Sequence, residues 1–85
     1  MSWQVKVAKG AAKNLKRFPS AYQNHILSAL RELRENPYAG DIEKIGGEEN
    51  AWRRRVGAYR ILYEIDVENR LIDVRDIRRR ASNTY

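Results

Sequence analysis

The stretch WRRRVGAYRILYEI, residues 52–65, holds two alternating segments joined by Gly57-Ala58. Glycine at the first central position of a two-residue loop favours a type II′ turn, whose twist matches that of a tight antiparallel hairpin. Such a turn sets Val56 against Tyr59, Arg55 against Arg60, Arg54 against Ile61, Arg53 against Leu62 and Trp52 against Tyr63. Side chains alternate across a strand. One face therefore carries Trp52, Val56, Tyr59, Ile61, Tyr63 and Ile65, a wall suited to packing under helices. The other carries Arg53, Arg55, Arg60, Leu62 and Glu64. Arg54 falls on the apolar face, where it is expected to snorkel at the sheet edge. Arg55 faces Arg60 directly, a like-charge pair that costs from a few tenths to about 1 kcal/mol. Selection for stability alone would remove that pair, whereas a protein that holds a polyanion has a reason to keep it.

Working outward, WQVKV (3–7) alternates as a first strand. Ala11, Leu15 and Phe18 recur at helical spacing between Lys9 and Phe18, and Pro19 interrupts that pattern. SAYQ (20–23) has the form of a capping box, with Ser20 as N-cap and Gln23 three positions on. The second helix is expected to run to about Asn36, with Tyr22, Ile26, Ala29, Leu30 and Leu33 as its apolar stripe and Pro37 beyond its end. Residues 38–50 read as a loop, with a short edge strand around Ile42–Ile45. Strands follow at Ala51–Val56, Ala58–Ile65 and Arg70–Ile77, with DVEN (66–69) as the second turn. Two antiparallel helices on one side of a sheet are the economical arrangement. Residues 1–85 make one domain, small enough that its stability margin is thin.

The 85 residues carry 17 basic and 11 acidic side chains, a net charge of +6. All the basic residues from 51 onward are arginines, while the first half mixes lysine and arginine. A face that needs only charge mixes the two; arginine alone suggests bidentate recognition of phosphate or carboxylate. Small basic domains of this kind most often meet nucleic acid, with an acidic protein segment as the next partner. The chain has no cysteine, so disulfides and thiolate metal sites are excluded. No apolar run reaches membrane-spanning length and MSWQVKVAKG lacks the apolar core of a signal peptide, so a cytoplasmic location without membrane attachment is expected.

His25, the single histidine, lies mid-helix off the apolar stripe and reads as a surface residue. No histidine pair or carboxylate cluster makes a metal site, and no glycine-rich phosphate loop or nucleophile–base pair can be assembled, so neither metal nor cofactor is expected. What remains is the arginine face with Glu43, Glu64 and Tyr85. Guanidinium groups can grip a phosphodiester and stabilise the extra charge of its pentacovalent transition state. They are poor bases, so a nuclease here would need a carboxylate or tyrosine for proton transfer. Glu43 and Glu64 are both candidates, and each is also accounted for by simple charge balance.

The residues NP…G…I.G…WRRRVGAYRILYEI…RLIDVRDIRRR…Y resemble the RelE/ParE superfamily of toxin–antitoxin toxins over nearly the whole chain. The resemblance implies an α+β, microbial-RNase-like fold with two N-terminal helices on a four-stranded, mostly antiparallel sheet. It places Arg60 on the family's catalytic arginine. Arg53 and Arg55 fall where RelE-like enzymes carry two lysines, one of them tied to proton transfer, which arginine can hardly perform. Glu43 of DIEKI matches the glutamate base of the YoeB-like branch. The family's C-terminal arginine falls on Arg79 or Arg80, depending on a one-residue gap, and Tyr85 falls on its C-terminal functional aromatic.

The activity so implied is metal-independent cleavage of mRNA in the ribosomal A site by 2′-hydroxyl attack, which inhibits translation. Arg53, Arg55 and Arg79 would bind RNA, and Lys9, Lys13 and Lys16 would add contacts to the ribosome. A cognate antitoxin, the ribosome with its mRNA, and operator DNA reached through the antitoxin complex are the implied partners. Two alternatives stand beside it: a ParE-like gyrase inhibitor, and an inactive relic that binds only antitoxin and operator.

Overall fold

A computed structural model of the chain describes residues 2–47 and 49–79. The elements run β1 (Gln4–Val7), α1 (Lys9–Arg17), α2 (Ser20–Glu35), β2 (Ile42–Lys44), β3 (Ala51–Val56), β4 (Tyr59–Asp66) and β5 (Leu71–Arg79). The strands form one sheet in the order β1-β5-β4-β3-β2, parallel between β1 and β5 and antiparallel elsewhere. The sheet thus has five strands rather than four. The strand beyond the four that the resemblance implies is β2, the short edge strand expected around Ile42–Ile45. None of the described helices is long and apolar enough to cross a membrane.

The hairpin adopts the register set by its turn: Val56 faces Tyr59, Arg55 faces Arg60 and Trp52 faces Tyr63. Gly57 takes φ +58°, while Ala58 keeps a negative φ, as a type II′ turn requires. One face of the sheet packs Tyr59, Ile61, Tyr63, Ile65, Ile72, Val74 and Ile77 against Ala11, Ile26, Ala29, Leu30 and Leu33 of the helices.

Ser20 does not cap α2. It is the first helical residue, Pro19 stands at the N-cap, and no side chain closes that end. Gln23 instead turns back, its Nε2 donating to the carbonyls of Phe18 (2.7 Å) and Lys16 (3.3 Å). It thereby satisfies carbonyls that the end of α1 leaves unpaired. At the other end of α2, Asn36 Oδ1 accepts from the Tyr38 amide, and the buried Pro37 carbonyl accepts from the Tyr63 hydroxyl at 2.8 Å.

Burial pushes the Tyr63 phenol up from 10.0 to about 12 against a smaller downward pull from Arg54. A tyrosine whose folded pKa is raised contributes its full stability below pH 10 and loses it as pH climbs to about 12. Alkaline titration is expected to remove about 2 kcal/mol over that window. Tyr63→Phe should be about 1 kcal/mol less stable at neutral pH and should lack this loss, as measured by denaturant melts from pH 8 to pH 12.

One irregularity fixes what lies beyond. Tyr63 pairs with Val74 but Leu62 pairs with Asp76, so Arg75 is an extra, bulged residue in β5. Downstream of it, Ile77 meets Ile61 in the core and Arg78 meets Arg60.

Candidate functional site: an arginine cleft

On the face away from the helices, three strands each contribute an arginine to one row. Arg60 on β4 lies directly opposite Arg55 on β3 and directly opposite Arg78 on β5. Directly paired residues share a face of the sheet, so the three guanidinium groups emerge side by side. Arg53 stands on the same face two residues along β3 from Arg55.

The β2 edge closes the row into a cleft of about 300 Å³ lined by Asp41, Ile42, Glu43, Arg53, Arg55 and Arg60. Gly40 starts this wall at φ +81°, and backbone bonds from Ile42 to Gly40 and from Arg55 to Asp41 (2.9 Å) hold it to β3. Register then delivers the carboxylates. Glu43 sits opposite Arg53, and its Oε1 accepts from Arg53 Nη2 at 2.6 Å. Asp41 Oδ2 accepts from Arg55 Nε at 2.9 Å. On β5, Asp76 Oδ2 accepts from Arg78 Nε at 2.6 Å. Arg60 has no ion pair among the described residues, although Arg53, Arg55 and Arg78 all do.

Arg54 does not snorkel. Its side chain is 12% exposed, and the guanidinium turns inward to Glu32 Oε1 of α2 at 2.9 Å and the Ala39 carbonyl at 3.2 Å, with Gly40 packed against it. It clamps the segment after α2 to β3, and through that segment it supports the cleft wall.

Arg53, Arg55, Arg60 and Glu43 are therefore brought together. Arg79 pairs with Tyr59, whose side chain is in the helix-side core, and so it stands outside the row. Arg80 and Tyr85 lie outside the described residues. Lys9, Lys13 and Lys16 are exposed on α1 and none lines the cleft. Glu64 pairs with Arg75 at 3.2 Å and lines a separate groove with Asp66, Glu68 and Asp73. His25 is exposed, edge-on to Tyr22. Sequence reasoning missed Arg78, Asp41 and Asp76. The last two have the acid-before-the-strand or acid–x–arginine placement that could have marked them; Arg78 needed the bulge.

A small α+β domain with a basic, carboxylate-edged cleft on its open sheet face has close counterparts. The archaeal RelE–RelB complex of Pyrococcus horikoshii OT3 contains a chain 25% identical, with a TM-score of 0.84 over 98% of this chain and 100% of that one. Isolated RelE toxin of Escherichia coli superposes with a TM-score of 0.83 at 17% identity, over 94% of this chain and 86% of that one, a likeness of fold. RelE1 of Methanocaldococcus jannaschii, a protein assigned as a toxin, is 29% identical over 83 residues, covering 94% of this chain and 92% of its own length. The architecture is thus that of the RelE/ParE superfamily of toxins. Residues 5–84 match the ParE toxins of type II toxin–antitoxin systems, parDE, and the chain belongs to that family.

Proposed function

We propose that this toxin is a ribosome-dependent mRNA endoribonuclease acting in the A site. The observation that carries the reading is the convergence of Arg53, Arg55, Arg60 and Arg78 with the Glu43 carboxylate on one open face. A protein that only docked on another protein has no evident need for several guanidinium groups converging on one point. Such a row suits a phosphodiester, whose charge rises as the transition state forms.

In the proposed step, the substrate's 2′-hydroxyl oxygen attacks the adjacent phosphorus while Glu43 accepts its proton. The bond to the 5′-oxygen breaks, and the leaving oxygen takes a proton, for which Tyr85, matched to the family's C-terminal functional aromatic, is the proposed donor. The products are a 2′,3′-cyclic phosphate, which can open to a 3′-phosphate, and a 5′-hydroxyl end. Arg60, the one arginine of the row without an ion pair among the described residues, takes the scissile phosphate. Arg53, Arg55 and Arg78 bind the strand on either side, and the resemblance adds Arg79 or Arg80 as a further charge-stabilising group. Charge stabilisation is assigned to guanidinium groups, so the chemistry proposed is metal-independent and needs no cofactor. Lys9, Lys13 and Lys16 lie far enough from the cleft to meet ribosomal RNA.

The relatives from Pyrococcus horikoshii and Methanococcus jannaschii were solved as complexes with RelB, which supports a cognate antitoxin as partner here. Operator DNA is reached through that complex, and the proposed location is cytoplasmic.

Primer extension on an mRNA in a reconstituted translation reaction, with and without ribosomes, tests the reading. Codon-phased cuts that require ribosomes are expected; intact mRNA would overturn it. The family match to ParE toxins favours a second reading, inhibition of a topoisomerase. DNA breaks on expression, with mRNA left whole, would decide for that alternative.

A further inference from the structure

The outer arginines of the row are held in the same way. Asp41 accepts from Nε of Arg55 and Asp76 accepts from Nε of Arg78, while Arg60 between them has no such partner among the described residues. The acids come from different elements, Asp41 from the wall before β2 and Asp76 from the bulged strand β5. A carboxylate on Nε leaves the η nitrogens of the guanidinium free while offsetting part of its charge. The three arginines therefore present three donor groups, of which only Arg60 has no carboxylate partner among the described residues.

We propose that Asp41, with Asp76, sets the specificity of the cleft by attenuating its affinity for free polyanion. This inference rests on the reading of the cleft as an RNA site. A chain of net charge +6 would otherwise bind any single strand through the row. With both flanks partly offset, a phosphate gains its strongest charge interaction at Arg60. The η donors of Arg55 and Arg78 then add orientation more than affinity. Productive binding requires contacts from elsewhere, which a strand presented on a large particle supplies and a free strand does not. Asp41 is 59% exposed and touches Arg55 through its carboxylate as well as its backbone. Its charge can therefore be removed while the backbone link from the Arg55 amide to the Asp41 carbonyl remains.

The test compares wild type, Asp41→Asn and Glu64→Gln for binding to a short 2′-O-methyl single-stranded RNA, which cannot undergo 2′-hydroxyl attack. Both variants raise the net charge by one, but Glu64 lies at the other end of β4 and outside the cleft. Asp41→Asn is expected to bind about three- to fivefold more tightly, at the upper end for a part-exposed ion pair near a surface. Its log K against log salt should steepen by about 0.7, one more phosphate contact on a single strand. Glu64→Gln should change affinity by less than about twofold. Equal tightening in both variants, no change in Asp41→Asn, weaker binding, or no binding by any of the three would each overturn the proposal. A structural role for Asp41 predicts weakening, so the sign separates the two. Tighter binding by Asp41→Asn alongside uncut mRNA in the ribosome reaction would retire the nuclease reading and leave this inference standing.

Discussion

Arg60→Gln is expected to lose at least a hundredfold in mRNA cleavage while gaining stability. Removal of one preorganised donor to a developing anion costs on the order of 10²–10³ in rate. Arg60 is the arginine for which this cost should be greatest, because the neighbours that flank it are already engaged by carboxylates. The same substitution relieves the like-charge contacts with Arg55 and Arg78 on the adjoining strands. Glutamine retains much of the packing stem, so the relief should raise stability by a few tenths to about 1 kcal/mol at low salt. The gain should fade as salt screens the row. Single-turnover cleavage on programmed ribosomes and thermal melts in low and high salt read the two effects separately. Arg60→Lys should fall between, since it keeps the charge and loses the planar fork. Cleavage by Arg60→Gln within tenfold of wild type would remove Arg60 from the catalytic role.

The largest structural effect is expected at Gly40. It holds φ +81°, and a methyl group there would overlap the Arg54 guanidinium, with Nε 2.7 Å from the added carbon. A non-glycine residue in that conformation costs about 1–2 kcal/mol. Displacing the inward-turned Arg54 from Glu32 and the Ala39 carbonyl adds more, because hydrogen bonds to a charged group contribute about 1.5–3 kcal/mol. Gly40→Ala should therefore destabilise the domain by about 3 kcal/mol and lower its melting temperature by more than about 10 °C. Chemical denaturation of the single and double variants checks the cause. In an Arg54→Ala background the added methyl has no guanidinium to meet, and its cost should shrink to about 1 kcal/mol, the backbone part alone. A cost that stays near 3 kcal/mol in both backgrounds would place the strain elsewhere.

The hairpin was legible because a single glycine fixes its register, and register fixes which face each arginine takes. Glu43 was legible only in part: its chain position pointed to the cleft, but the three-residue β2 that aims it at Arg53 is too short to show a period. Ser20 and Gln23 had the spacing of a capping box, yet tertiary competition won, and Gln23 serves the end of α1 instead. Arg54 read as a misfit on an apolar face because its partners, Glu32 and Ala39, come from a segment that periodicity cannot bring near. The end of β5 was the least legible. The resemblance, with its one-residue gap, points to Arg79 or Arg80 as the C-terminal arginine, and the sheet brings a further arginine, Arg78, opposite Arg60.

Arg78 reaches that place because of the bulge at Arg75, which matters for comparing this toxin with its relatives. Were the same sequence paired without the bulge, Ile77 would stand opposite Arg60 on the open face and Ile61 would meet Asp76 in the core. The bulge acts as a phase shift in the reading frame of β5, so position along the chain and position in the sheet disagree by one from there onward. Aligning relatives letter by letter will pair the wrong arginines wherever one strand has the extra residue and another lacks it. Equivalence in this region is defined by which residue lies across from Arg60, and the length of β5 carries as much functional information as its composition.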